Sequence, residues 1–111
     1  MGAKIPMVAV YKAILKNYGE VIADFEAIGR SEVTFSFNAF ADSIYSEDLL
    51  SDLRTIRAKW QMAVAQGVLT EIKPFYSATL HIPALRLKAG VVRACAHTDT
   101  HTIINAVKED C

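Results

Sequence analysis

Between Val8 and Ile28 the apolar residues Tyr11, Ile14, Tyr18, Val21, Phe25 and Ile28 recur at alternating steps of three and four. Lys12, Lys16, Glu20 and Asp24 fall on the opposite side. That period predicts a long amphipathic helix. Gly19 inside it costs about 1 kcal/mol relative to Ala, and Gly29 follows as its C-cap. The period then changes to two: Glu32, Thr34, Ser36 and Asn38 alternate with Val33, Phe35, Phe37 and Ala39, which predicts a half-buried strand. Ser36 or Asn38 is placed to cap a short helical turn through Ala39, Phe40, Ala41 and Ile44.

Ser46 followed by Glu47 and Asp48 reads as a second helix start, with acids at the positive end of the helix dipole. Leu49, Leu53, Ile56, Trp60, Ala63 and Val64 then form one apolar face until Gly67. Ser51, Ala58 and Ala65 line up opposite that face beside Met62, and small residues at this spacing admit a closely packed neighbour or a DNA backbone. Two β-rich runs follow, Val68 to Ile72 and Phe75 to Ile82, separated by Lys73 and Pro74 and bounded by Pro83; they predict a hairpin. Leu85 to Ala96 and His101 to Val107 fit helices or strands equally.

The fold class is therefore α+β, two long amphipathic helices with a small antiparallel sheet, in one compact domain over residues 1–111. Phe37 through Leu69 resembles, in element order, the winged helix-turn-helix, in which a recognition helix precedes a two-stranded wing. The resemblance covers about half the chain, carries no diagnostic motif, and would leave the last third as a C-terminal extension. It implies Ala39 to Ile44 as the positioning helix, Glu47 to Gln66 as the recognition helix and the hairpin as the wing. The chain departs from the family in the length of that helix and in Glu47, Asp48 and Asp52 at its start.

If DNA is the partner, Arg54, Arg57, Lys59 and Gln61 are the candidate contacts, since Arg offers paired donors to guanine or phosphate and Gln suits adenine. Lys73, Arg86 and Lys88 would add phosphate contacts from the wing. The competing reading makes the same charges an ordinary solvated helix face. Twelve Lys and Arg balance twelve Asp and Glu, so any grip on a polyanion must come from a local basic face.

Cys95, His97, Asp99 and His101 stand at every second position and would share one face of a strand, the one metal-like pattern in the chain. Same-face ligands on one strand lie too far apart to close a tetrahedron alone, which favours a solvated turn and no metal cofactor. No nucleophile elbow, paired carboxylates or glycine-rich phosphate loop occurs, so no catalytic residue and no enzyme is expected. Two cysteines, Cys95 and Cys111, fit reduced thiols in a cytoplasm. No apolar run approaches the roughly eighteen residues of a membrane span, and no export or lipidation signal is read at the N-terminus. Phe40, Tyr45, Phe75 and Tyr76 are expected in turns or on an outer strand face, where an aromatic patch suits a protein interface. Two functions follow: a small DNA-binding regulatory protein of winged-helix type, or an interaction or inhibitor module acting by surface complementarity, with a homodimer expected.

Overall fold

The computed structural model describes residues 5–90. In chain order they form α1 (Met7–Ala27), β1 (Glu32–Ser36), α2 (Phe37–Glu47), α3 (Leu53–Ala65), β2 (Leu69–Lys73), β3 (Ser77–His81) and α4 (Ile82–Ala89). This is an α+β fold of four helices and one antiparallel three-stranded sheet. The strand order is β1-β3-β2, so β3 lies between its hairpin partner and β1. No described helix is long and apolar enough to cross a membrane.

The period of α1 holds, but its apolar stripe shifts partway. Tyr18 leaves helical geometry at φ −121°, and beyond this kink Ile22 is buried while Val21 and Ile28 are exposed. Val10, Tyr11, Ala13 and Ile14 are the buried positions before it. The helix ends where Gly29 takes φ +81°, a left-handed conformation that costs a residue with Cβ. There the N–H groups of Gly29 and Arg30 donate to Glu26 and Phe25 carbonyls at 2.9 Å each, a Schellman closure.

At the end of β1, Ser36 starts α2 by accepting from the Ala39 N–H at 3.0 Å. The expected short turn is an 11-residue helix, and this corrects the next boundary. Ser46 does not open a helix: its hydroxyl donates to the Ser43 carbonyl at 2.7 Å within α2. Lys16 on α1 meets Glu47 at 3.6 Å, and the Asp48 N–H closes the last turn on Ile44. Asp52 is the working cap of α3, accepting from Thr55 N–H at 2.8 Å. Consequently α3 has 13 residues, Leu49 and Leu50 stand in the α2–α3 connection rather than on an apolar face, and Ser51 precedes the helix that carries Ala58 and Ala65.

The hairpin forms, with Pro74, Phe75 and Tyr76 in its turn. Ile82 leaves the sheet and Pro83, in the first turn of α4, favours a helix start; the described part of the segment left open between helix and strand is helical. Trp60, Phe40, Ile14, Ile44, Ile56, Leu69, Leu80 and Leu85 lie in one shared core. Phe40, expected at the surface, is fully buried, its ring edge-on to Trp60 at 5.4 Å. Tyr45 and Phe75 are half-buried, and of the four aromatics only Tyr76 is exposed. Cys95, His97, Asp99, His101 and Cys111 lie outside the described residues.

Candidate nucleic-acid interface

α3 buries Ile56, Trp60 and Ala63 and turns the opposite face outward. On a helix of 3.6 residues per turn, Arg54, Arg57, Ala58, Gln61 and Ala65 fall within an arc of about 100° on that outer face. All five are exposed. Lys59 lies outside the arc, half-buried on the flank beside Ala63, so it does not share a surface with Arg54 and Arg57. The Asp52 carboxyl is held below its ordinary value by the Thr55 backbone N–H first, then by the Thr55 side chain and the nearby charge of Arg54.

The β2–β3 turn is fastened to this helix. Trp60 Nε1 donates to Glu71 Oε2 on β2 at 2.6 Å, and the Phe75 N–H donates to the same oxygen at 2.9 Å. That bond sits at the described chain's one non-glycine residue with positive φ, Phe75 at +52°. The Tyr76 N–H closes the turn on the Lys73 carbonyl at 2.9 Å. The Phe75 ring meets Phe37 edge-on at 6.0 Å, and Phe37 meets Trp60 at 5.2 Å. Three aromatic rings, a carboxylate and a tight turn thus fix the hairpin tip against the middle of α3. Edge-to-face pairs of this kind add about 0.5–1.5 kcal/mol each beyond their buried area.

Two cations come with the tip. The Arg57 guanidinium lies 5.7 Å from the centre of the Phe75 ring, and Lys73 Nζ lies 5.0 Å from that of Tyr76. Arg54, Arg57, Lys59 and Lys73 join no ion pair among the described residues. Residues 51–79 hold these four cations against two acids, Asp52 and Glu71, and both acids accept internal hydrogen bonds. Residues 5–50 hold seven acids against three cations, and residues 80–90 hold Arg86 and Lys88 with no acid, so the cationic excess of the described residues falls after residue 50.

Arg86 and Lys88 do not belong to the hairpin. Both stand in the last turn of α4, which packs against α1 and β3. Arg86 donates through Nε and Nη2 to the two carboxylate oxygens of Glu26 at 2.7 Å each, a fork-on-fork pair that raises its pKa further. The structure therefore sets Arg54, Arg57 and Gln61 on one exposed arc of α3, places Lys73 beside Tyr76 at the hairpin that is fastened to this helix, and sets Lys59, Arg86 and Lys88 elsewhere. The Glu71 bridge escaped the sequence reading, although a signal for it exists. Glu71 follows Leu69 by two residues on the inner side of β2, where a carboxylate requires a donor.

Among the described residues no group of three or more His, Cys, Asp or Glu is placed to hold a metal ion. Comparison with protein families, curated proteins and solved structures finds no match to this chain.

Proposed function

We propose that this chain is a winged-helix DNA-binding protein of regulatory type, with α2 and α3 as the helix-turn-helix and β2–β3 as the wing. The observation that supports the reading is the fastening of the hairpin tip to α3 through Trp60, Glu71 and Phe75, with Arg57 over the Phe75 ring and Arg54 and Gln61 on the same exposed arc of α3. The element order and the β1-β3-β2 sheet support it, since a winged helix requires its wing strands to continue a strand that precedes the helix pair. Ala58 and Ala65 between the polar residues leave room for close approach of a duplex. In this reading Arg54, Arg57 and Gln61 face base edges or phosphate, and Lys73 takes phosphate. Lys59 and Lys88 are left to peripheral phosphates, and Arg86 to structure.

The test is retention of random duplex DNA across a salt series. Affinity that falls steeply as salt rises supports the reading, because each engaged phosphate releases counterions. Absence of retention at low salt rejects it. Arg54→Ala with Arg57→Ala should abolish retention at an unchanged melting temperature; retention by this double variant would remove those residues from the interface.

A second reading, an interaction module acting as a homodimer or on another protein, is favoured by Leu49 and Leu50, which are 83% and 85% exposed beside half-exposed Leu53. A mass that stays monomeric over a wide concentration range counts against the homodimer.

A further inference from the structure

We propose that the free edge of β1 docks an extended peptide, paired antiparallel to Glu32–Ser36 and bringing a carboxylate at its C-terminal end to Arg30. This site lies on the acidic part of the chain and is independent of the DNA reading.

Among the described residues, in the order β1-β3-β2, β1 has a neighbour on one side only. Successive residues of an antiparallel strand aim their backbone groups alternately toward the neighbour and away from it. The Ile82 N–H donates to the Ser31 carbonyl at 2.8 Å, and the Phe37 N–H to the Tyr76 carbonyl at 2.9 Å. Val33 and Phe35, opposite Leu80 and Ala78, share that parity. Residues 31, 33, 35 and 37 thus face β3, and Glu32 and Thr34 aim N–H and C=O outward. Neither residue's backbone N–H or C=O bonds a further segment on that side among the described residues.

An open row of this kind is a template for another strand. Here it borders a groove of about 440 Å³, walled on the far side by Val21 and Phe25 of α1. A strand laid in it would set alternate side chains on those two apolar residues and the others beside Thr34 and Thr79. Arg30 and Glu32 also line the groove; Glu32 lies 3.3 Å from His81 Nδ1, and Arg30 is in no ion pair among the described residues. An antiparallel peptide runs its C-terminus toward the start of β1, where Arg30 stands. A second copy of β1 fits less well, since its strand runs on into α2 at Phe37 and has no terminal carboxylate to bring to Arg30.

The probe is a library of hexapeptides alternating Val, Ile, Leu or Phe with Thr or Ser and ending in a free carboxylate. Members should bind tighter than about 1 mM, and binding should slow hydrogen exchange at the Glu32 and Thr34 amides. Amidating the carboxylate, or Arg30→Ala, should weaken binding about tenfold or more. N-methylation of one alternating set of peptide amides should abolish binding, and of the other set should not. The proposal is overturned if no member binds, if both N-methylated sets bind alike, or if protection appears elsewhere. Glu32 and Thr34 amides already protected in the free protein would overturn it as well.

Discussion

Trp60 on α3 and Glu71 on β2 are joined at 2.6 Å through the indole N–H, and the same carboxylate oxygen holds the backbone of Phe75. One acceptor therefore serves a helix, a strand and a turn. Replacing Glu71 by Leu leaves two part-buried donors without a partner, which should cost about 1–3 kcal/mol. Glu71→Gln keeps an acceptor oxygen and should cost less. Urea unfolding, followed by the fluorescence of the chain's one tryptophan, measures both. Equal losses in the two variants would mean that the carboxylate does not hold the turn.

The same fastening makes the basic surface testable by its salt dependence. Each phosphate contact contributes roughly 0.9 to the slope of log affinity against log salt. Arg57→Ala and Lys73→Ala should each lower that slope by about 1 while weakening all duplexes alike, as loss of a phosphate contact does. Arg86→Ala should leave the slope unchanged, because its guanidinium is engaged by Glu26. It should cost at most about 1 kcal/mol of stability, the pair being about one-third exposed. A slope lowered by Arg86→Ala and not by Lys73→Ala would relocate the interface to α4.

Local signals carried most of this architecture. The period of α1, the alternation of β1, Gly29, Gly67 and the hairpin are visible in the residues, because caps and periodicity act over a few positions. The α2–α3 boundary was not, because Ser46, Asp48 and Asp52 all have the chemistry of a cap. Contacts from α1 to Ser46 and Glu47, distant in sequence, decide among them. The same holds for Phe40 and Glu71, whose surroundings come from segments brought together only by folding. The separation of Lys59 from Arg54 and Arg57 follows from the apolar face of Ile56, Trp60 and Ala63, which the sequence already displays.

Two groups contribute in known directions to how stability varies with pH. The folded protein lowers the pKa of Asp52 through the Thr55 bonds, so the cap stabilises the fold above the ordinary carboxylate range. That contribution is lost as pH falls through the lowered value. Burial raises the pKa of Tyr11, whose hydroxyl has no hydrogen-bond partner among the described residues. Its contribution is complete below the ordinary phenol value and is lost as pH rises through the raised one. Asp52→Asn should flatten the acid limb of the melting-temperature profile and Tyr11→Phe the alkaline limb, read by circular dichroism. Unchanged limbs would place the titrating groups elsewhere.

The exposed leucines separate the two boundaries of α3. If the helix began at Ser46, Leu49 would share a buried face with Ile56, and a polar substitution there would be as damaging as one in the core. With α3 starting at Leu53, Leu49 and Leu50 stand in the connection and Ile56 is fully buried. Leu49→Ser with Leu50→Ser should then change unfolding free energy by no more than about 0.5 kcal/mol, whereas Ile56→Ala should cost about 2–5 kcal/mol. The double variant also reads out the second function. If these leucines form a dimer contact, sedimentation will show the variant as monomer where the parent chain is dimer, with DNA retention altered in parallel. If they do not, mass and retention will match the parent, and the basic face of α3 stands alone as the binding surface.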